Sequence, residues 1–398
     1  MKIKGKYGSA HIFATQVDDV TKEQVLELMN QNFVDKLNVR IMPDCHAGAG
    51  CVIGTTMNIK DSVVPNLVGV DIGCGMLTIE LGKRNINLEK LDKFIINNIP
   101  SGEDVHNSIQ KTQVNYKKMD CYEKLKNRKR FDYSLGTLGG GNHFIEIDKD
   151  DEGNLYLVIH SGSRYLGNKV CEYYMKVANE NLLKERDLEI KKKVAKLKLK
   201  GKKTKIQEEV KKIQDHYNLI NKDLVPLYGE DFKKYLFDMD ICQKFAWENR
   251  EAIANKILNF LGLRLDGLEH FHTVHNYINM NDMILRKGAI SAYKGEKVLI
   301  PINMRDGSII AVGKSNKKYN YSAPHGAGRI ISRNKAKKNI SLEDYKESMK
   351  GIYSSCISVE TIDESPFAYK DINEIIPNIL PTVEIIKIIK PIYNFKAK

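Results

Sequence analysis

Residues 67–81, LVGVDIGCGMLTIEL, indicate both a fold class and a chemistry. The apolar run that follows Gly75 is typical of a buried β-strand. Just before it, Asp71 and Cys74 lie in a glycine-rich turn, so a carboxylate and a thiol stand together at a strand end. One thiolate with a carboxylate and several imidazoles suits Zn, Mn, Fe or Co. The alternative interpretation is a buried free cysteine beside a turn aspartate.

Three histidines extend this candidate metal site. His143 in LGTLGGGNHFIEI and His160 in VIHSGSR each stand beside glycines at the end of an apolar segment, which favours a metal site over a structural cysteine. His275 in HTVHNYI ranks above His272, because the residues after it are expected to continue a helix with an inward face. A lone histidine is otherwise more often a satisfied core or surface residue.

Short apolar segments punctuated by glycine run through residues 1–180 and return from residue 284 onward, which is typical of β-strands with functional loops at their ends. Helices are predicted from Thr21, where TKEQ fits a capping box, and over residues 238–261. The expected fold class is therefore α/β (α+β), with mixed β-sheets and flanking helices. We expect one catalytic domain over residues 1–398, without a Rossmann or Walker fingerprint.

A lysine-rich segment is predicted to form a helical hairpin insertion over residues 172–222, projecting from the body. Apolar residues at helical spacing mark its two arms: Ile190, Val194 and Leu197, then Ile206, Val210 and Ile213. From Lys184 to Lys212 there are thirteen Lys or Arg and five Asp or Glu. Such a charge run is usually only the solvated face of a helix, and direct contact with nucleic acid is the alternative.

Composition narrows the class of protein. The chain has 398 residues, of which 42% are hydrophobic and 28% charged, as is ordinary for a globular protein with a large core. A net charge of +13 is compatible with nucleic acid, a membrane surface or simple solubility. The start of the chain shows no secretory pattern, and no apolar run of about 18 residues occurs, so no membrane association is expected. Seven cysteines, an odd number, do not suggest a disulfide framework, and the cytoplasm is the expected location.

The octapeptide SAPHGAGR, residues 322–329, forms a second candidate centre. It joins His325 to glycine-rich backbone that a ligand can approach closely, and to the cation Arg329. Such a histidine is a candidate nucleophile toward phosphorus. Arg333 follows four residues later, so on a helix the two arginines would share a face and could both fork phosphate oxygens. The alternative is that they form surface ion pairs.

Taken together, seven motifs in one order resemble the RtcB family of RNA ligases: MPDCHAGAG, VGVDIGCGM, GGGNHF, IHSGSR, HNY, RKGA and HGAGR..SR. The likeness runs from about residue 40 to the C-terminus. It implies an RtcB-type fold, a site for two Mn²⁺ ions and GTP as the energy source. The implied reaction joins an RNA 3′-phosphate or 2′,3′-cyclic phosphate to a 5′-hydroxyl, in RNA repair or tRNA splicing. An archease-like helper is the further partner that the resemblance raises.

The resemblance also assigns roles by position. Asp71, Cys74 and His143 match the ligands of one Mn²⁺, and Cys74 bridges to a second that His160 and His275 complete. His325 matches the histidine that takes GMP as a phosphoramidate, before the guanylate passes to the RNA 3′ end as RNA–(3′)pp(5′)G. The matched guanylate-pocket positions are Asn142, Phe144, Glu146, Ser308, Ala327, Gly328, Tyr369 and Lys396. The basic residues matched near the RNA phosphates are Arg164, Arg329 and Arg333.

The chain departs from the family pattern in two loops and in its tail. It reads PINMRDGS where many members read PGSMG, SRYLG has a tyrosine where glycine is common, and two residues follow Lys396. These changes indicate a divergent branch. Two other hypotheses use the same residues: a metal-dependent phosphohydrolase acting on RNA ends without nucleotide transfer, and a catalytically silent RNA-binding protein.

Overall fold

The computed structural model describes residues 1–397. The strands are β1 Lys2–Lys4, β2 Ser9–Ile12, β3 Val39–His46, β4 Ile53–Asn58, β5 Ser62–Val63, β6 Gly75–Gly82, β7 Phe144–Lys149, β8 Leu155–Ser161, β9 Leu227–Tyr228, β10 His270–Val274, β11 Asn276–Asn279, β12 Ile284–Lys287, β13 Ala289–Ser291, β14 Lys297–Asn303, β15 Gly307–Gly313, β16 Ser322–Pro324 and β17 Val383–Lys396. The helices are α1 Asp19–Met29, α2 Pro65–Val68, α3 Leu88–Asn98, α4 Lys129–Ser134, α5 Arg164–Leu199, α6 Ile206–Asn218, α7 Gly229–Phe260, α8 Arg333–Asn339, α9 Leu342–Ser348 and α10 Ile372–Ile379. The predicted mixed α/β class is confirmed.

A seven-stranded antiparallel sheet, in the order β10-β6-β8-β7-β17-β15-β14, positions the candidate site. Its register places Gly75 opposite both Val274 and Ser161, and His160 opposite Phe144. Four strand ends therefore meet at one edge of the sheet: the start of β6, the end of β10, the end of β8 and the start of β7. Residues far apart in the chain come together there because neighbouring antiparallel strands begin and end side by side.

A second sheet, in the order β1-β2-β3-β4-β12-β11, faces the same region. All its neighbours are antiparallel except β2 and β3, which run parallel. Strand β3 carries Asp44 and ends at His46, and the two-stranded sheet of β13 and β16 ends immediately before His325. The motifs MPDCHAGAG and SAPHGAGR thus lie at strand ends, as the glycine-bounded apolar runs predict.

Helix α7 joins the two main cores. Its first half, including Met239 and Phe245, packs into the cluster formed with α1, α5 and the six-stranded sheet. Its second half, including Ile253 and Ile257, packs with β6, β7 and β8. The helix predicted over residues 238–261 is confirmed, and it begins nine residues earlier, at Gly229.

The helical hairpin predicted over residues 172–222 corresponds to helices α5 and α6, which lie on either side of Gly201. Leu197 and Ile213 are buried between the arms. The first arm starts at Arg164 rather than near residue 172, because its first four turns pack into the body through residues such as Leu166 and Tyr174.

No helix within residues 1–397 is both long and apolar enough to cross a membrane.

Two local predictions are wrong. Helix α1 begins at Asp19, and its cap is Asp18, whose carboxylate accepts the backbone N–H and the hydroxyl of Thr21. Thr21 is fully buried and lies inside the first turn, so it does not cap the helix as TKEQ predicts. Residues Asn276–Asn279 form strand β11 instead of a helix, because they pair with β12.

Candidate active site

The meeting edge of the seven-stranded sheet gathers all five predicted metal ligands. The Cys74 Sγ atom lies 3.4 Å from Nε2 of His143 and 3.3 Å from Nε2 of His160. Nε2 of His160 lies 3.4 Å from Nε2 of His275, and Nε2 of His143 lies 3.0 Å from a carboxylate oxygen of Asp71. Two groups result, Asp71–Cys74–His143 and Cys74–His160–His275, with donor atoms within 4.8 Å of one another in each. Cys74 belongs to both.

Backbone carbonyls orient two of these imidazoles. Nδ1 of His143 donates to the carbonyl of Leu138 at 2.9 Å, and Nδ1 of His160 donates to that of Asn142 at 3.0 Å. A proton held on Nδ1 leaves the lone pair on Nε2, which is the atom that faces Cys74. Both rings thus present a metal-binding nitrogen to the same sulfur.

The donor set fits transition-metal ions. Burial, followed by the neighbouring Asp71 carboxylate, raises the pKa of the Cys74 thiol well above its ordinary value. Burial also lowers the pKa of both His160 and His275, so both rings are neutral donors. The Oδ1 atom of Asp71 is buried and has no hydrogen-bond partner within residues 1–397. A bound cation would make it favourable to place a thiolate beside this carboxylate. Donor atoms that each lie about 2.0–2.3 Å from a shared ion would be separated from one another by about the distances given above.

Two fully buried residues of α7 hold the loops that carry the ligands. The side chain of Asn249 accepts the N–H groups of Gly136 and Thr137 and donates to the carbonyls of Thr137 and Gly162. Arg250 donates to the carbonyls of Gly73 and Ser161, at 2.8 and 2.9 Å. These carbonyls adjoin Cys74 and His160. The sequence analysis did not identify Asn249 and Arg250, because neither stands in a glycine-rich motif.

His325 lies beside the second ligand group. Its ring centroid is 5.0 Å from that of His275. Its Nδ1 atom lies 2.7 Å from Oδ2 of Asp44, and the same oxygen accepts its backbone N–H at 3.1 Å. Asp44 is buried, so its carboxylate fixes the proton on Nδ1 and leaves Nε2 free to act as a nucleophile. Asp44 belongs to the motif MPDCHAGAG, and the sequence analysis assigned it no role.

Glycine is required at position 328, three residues after His325. Gly328 has a φ of +75°, and a Cβ atom on it would lie 2.6 Å from the carbonyl oxygen of Asp44. Any side chain at this position would therefore push SAPHGAGR away from β3 and disturb the His325–Asp44 pair.

A cavity of about 1050 Å³ connects His325 with most of the predicted pocket residues. The predicted residues that line it are Asn142, Phe144, Glu146, His160, His275, His325, Ala327, Gly328, Arg329, Arg333, Tyr369 and Lys396. Ser308 is fully buried on β15 and is not part of the lining formed by residues 1–397. The structure thus brings together one candidate nucleophile, two candidate metal ligands and three cations.

Glu364 organises the cations of this cavity. Its carboxylate lies 3.2 Å from Arg329, 2.7 Å from Arg333 and 3.0 Å from Lys396, and accepts the hydroxyl of Tyr369 at 2.6 Å. Burial would raise its pKa, but the charges of Lys396 and Arg333 outweigh burial and hold it at about 2. The sequence analysis missed Glu364, which lies in a short 3-10 segment, Val359–Glu364.

The two arginines converge without sharing a helix. Arg329 precedes α8 and bridges to Tyr369, whereas Arg333 is the first residue of α8. Arg333 also contacts Asp363 at 2.7 Å. The prediction that they share a helical face is therefore wrong. The alternative prediction was that the two arginines form surface ion pairs. They do form ion pairs, but their acceptors Asp363 and Glu364 are buried, and both arginines line the cavity.

Arg164 lies behind the metal-ligand loops. Its guanidinium contacts Nδ1 of His143 at 3.3 Å and donates to the hydroxyl of Thr137 and the carbonyl of Gly102. A Cβ on Gly139 would collide with this guanidinium, at 1.8 Å. The glycine run before Asn142 thus makes room for Arg164.

Lys396 and Glu146 form the floor of the cavity. Asn394 donates to Glu146, and Lys396 lies over the ring of Phe144, at 5.4 Å from its centroid. Burial raises the pKa of Glu146. The predicted placement of Lys396 near the cavity is consistent with its position in β17, opposite Phe144.

A buried Asp/Cys/His cluster at the edge of an antiparallel sheet, open to a basic cavity with a carboxylate-oriented histidine, fits a metal-dependent enzyme of phosphate chemistry. The chain matches the family described as "tRNA-splicing ligase RtcB" over residues 24–124 and 103–397. It therefore belongs to the RtcB family.

Curated relatives agree over nearly the whole chain. The RNA-splicing ligase RtcB of Escherichia coli strain K12 is 29% identical over 421 residues, covering 96% of this chain and 95% of that protein. The tRNA-splicing ligase RtcB of Aeropyrum pernix is 26% identical, covering 93% and 89%. That of Methanococcus maripaludis is also 26% identical, covering 94% and 90%.

Proposed function

We propose that this protein is a GTP- and Mn²⁺-dependent RNA ligase that joins 3′-phosphate or 2′,3′-cyclic phosphate ends to 5′-hydroxyl ends. One observation carries the proposal: His325, oriented by Asp44, packs against His275 in a cavity that also holds Arg329, Arg333 and Lys396. A nucleophilic imidazole, candidate metal ligands and phosphate-binding cations are the parts that nucleotidyl transfer needs.

Two ions would be held by five side chains. Asp71, Cys74 and His143 would hold one, and Cys74, His160 and His275 the other. The mixture of sulfur, nitrogen and oxygen donors suits Mn²⁺ better than Mg²⁺, which prefers oxygen. When bound, the ions would neutralise charge on the phosphates at the reacting centre.

His325 would carry the guanylyl group. A bond forms from its Nε2 atom to the α-phosphorus of GTP while the bond to pyrophosphate breaks. Throughout, Asp44 keeps the proton on Nδ1 and stabilises the positive charge that develops on the ring. A 2′,3′-cyclic phosphate is first opened by water to a 3′-phosphate. The guanylyl group then passes from His325 to the RNA 3′-phosphate, and attack by the 5′-hydroxyl forms the new phosphodiester bond and releases GMP.

The remaining cavity residues would bind the nucleotide and the RNA. Asn142, Phe144, Glu146, Tyr369 and Lys396 lie around the cavity wall where a guanine and its ribose would sit. Arg329 and Arg333 offer guanidinium groups that can fork phosphate oxygens once they exchange contacts with Glu364. Ser308, which is buried on β15, would act only through the loop that it anchors.

Family membership and the placement of His325 argue against the phosphohydrolase hypothesis. A hydrolase would use the ligand cluster alone and would have no need for an oriented nucleophile beside it. The cytoplasm as location and an archease-like helper as partner stay predictions. The substrate would be cleaved RNA, in repair or tRNA splicing.

Labelling with GTP tests the proposal. Incubation with GTP radiolabelled at the α-phosphate, and with Mn²⁺, should transfer label to the protein through an acid-labile, base-stable bond. His325→Ala should not label, whereas His216→Ala, on the exposed face of α6, should label normally. Labelling that persists in His325→Ala, or ligation of RNA without GTP, would refute the assignment.

A further inference from the structure

We propose that the end of the helical hairpin, residues 190–207, which we call the basic tip, binds the backbone of the RNA substrate far from the ends that are joined. This inference rests on the proposed function for the identity of the substrate. It concerns a surface outside the cavity described above, and it predicts how affinity depends on the length of the RNA.

The charge of the basic tip is not neutralised locally. It contains nine lysines and no Asp or Glu. Eight of the nine are exposed, and within the described chain only Lys193 forms an ion pair, with Glu209 at 2.6 Å.

Three of the five lysines elsewhere on the same two helices are paired with acids of their own helix. Lys169 pairs with Glu172, Lys176 with Glu180 and Lys212 with Glu208, at helical spacings of three or four. A solvated helix face normally shows this second pattern. An unneutralised cluster instead repels itself and is the electrostatic footprint of a polyanion-binding surface.

One continuous helix connects the active site to the basic tip. Helix α5 begins at Arg164, which contacts His143, and runs for 36 residues to Leu199. At about 1.5 Å per residue, its two ends lie about 50 Å apart. The basic tip begins at residue 190, about 40 Å along this helix, so an RNA whose end lies in the active site must extend about 40–50 Å from that end to reach it.

Helix α1 lies between the active-site cavity and the base of the hairpin. Its N-terminal Asp19 and Val20 line the active-site cavity. Its C-terminal part lines a second cavity of about 790 Å³, which Lys184 and Tyr217 of the hairpin also line. The amide, lysine and tyrosine side chains of this lining can hold RNA backbone and unstacked bases, and Glu27 and Glu185 also line the cavity. An RNA strand leaving the active site along α1 would meet this cavity and then the hairpin.

An anionic membrane is the other polyanion that the basic tip could bind, but the side chains of this surface favour RNA. A helix that lies on a membrane presents a broad apolar face beside its cations. Here the arms bury Leu197 and Ile213 against each other, and Leu199, 90% exposed, stands among lysines. That arrangement lacks the broad apolar face that membrane binding requires.

A matched pair of triple variants tests the proposal. The tip variant changes Lys200, Lys202 and Lys203 to Gln, and all three are exposed. The control variant changes Lys83, Arg84 and Lys90 to Gln, which are exposed beyond the far end of β6. Each variant removes three positive charges, so the change in net charge is the same.

The readout is the dissociation constant for two RNA stems that end in a 3′-phosphate, one of about 10 and one of about 25 base pairs. At about 3.4 Å per pair in B-form DNA, and less in RNA, only the longer stem spans 50 Å. The wild-type protein should bind the longer stem more tightly. The tip variant should lose about 10-fold or more for that stem alone, with a salt slope lower by about 2–3.

Three outcomes would overturn the proposal: equal losses in the tip and control variants, equal losses for the two stems, or unchanged RNA binding with lost binding to anionic phosphatidylserine vesicles. GTP labelling of both variants should stay at the wild-type level. A wild-type protein that fails to label would refute the proposed function, whereas the stem-length comparison, which needs no ligation, would still decide the role of the basic tip.

Discussion

The Nδ1 atom of His325 lies 2.7 Å from the carboxylate of Asp44, although the two residues are 281 positions apart in the chain. They come from different sheets, Asp44 from β3 and His325 from the residue after β16. Because the carboxylate is buried and also accepts the backbone N–H of His325, it fixes both the position and the tautomer of the ring.

Replacing this carboxylate should slow guanylylation much more than it reduces stability. Asp44→Asn keeps the shape of the side chain but allows the wrong tautomer of His325, and we expect the labelling rate to fall by about 10²–10⁴-fold. The rate of transfer from labelled GTP measures this directly. Asp35→Asn, at an exposed position, is the control. A decrease of less than about threefold would show that Asp44 does not orient the nucleophile.

Glu364 should contribute stability that depends on pH. Its folded pKa of about 2 lies below the ordinary glutamate value of 4.5, because the charges of Lys396 and Arg333 outweigh the effect of burial. A depressed pKa stabilises the fold above the unfolded value, and the contribution disappears as pH falls from about 4.5 to about 2. Glu364→Gln should therefore lower the free energy of unfolding at pH 7 by about 3 kcal/mol.

Urea unfolding at several pH values checks this expectation. The difference between Glu364→Gln and wild type should be constant from pH 7 down to about 5 and should narrow below about pH 4.5. Glu360→Gln, on the exposed side of the same segment, should change stability little. A difference that stays constant down to pH 3 would contradict the role assigned to the Glu364 carboxylate.

The candidate metal ligands could be predicted because each has two independent signals. Cys74, His143 and His160 are chemically distinctive residues, and each lies within two residues of a glycine at the end of an apolar run. Antiparallel pairing then places such strand ends side by side. The order of the strands could not be predicted in this way, because β17 lies between β15 and β7 and its pairing with β7 joins segments separated by most of the chain.

Residues that act through tertiary contacts gave no such signal. Asp44 gains its role only when β3 meets SAPHGAGR, and Glu364 only when Lys396 of β17 and the nearby pair Arg329 and Arg333 converge on it. His275 was selected for the wrong reason, since strand β11 rather than a helix follows it. Local periodicity carries no information about which distant segments pack together, and that packing assigns these roles.

Asn249 should act as a positioning residue for the metal ligands. Asn249→Ala removes contacts to the loops at Gly136, Thr137 and Gly162, and we expect metal affinity to fall by about 10–100-fold. Mn²⁺ binding measured by isothermal titration checks this without reference to activity. Asn255→Ala, on the same helix, is the control. Unchanged Mn²⁺ affinity in a destabilised Asn249→Ala protein would show that the contacts serve stability alone.

Metal stoichiometry should separate the two ligand groups. Elemental analysis of protein equilibrated with Mn²⁺ should give two ions per wild-type chain, about one for His275→Ala and none for Cys74→Ala, because Cys74 belongs to both groups. Cys121→Ala, in the main core, should keep both ions. Removing the ions with a chelator should lower the free energy of unfolding, by about 2.7 kcal/mol for each ion if the free metal had been at 100 times its Kd. Two ions retained in Cys74→Ala would mean that the sulfur does not bridge them, and the paired site would have to be redrawn around the histidines.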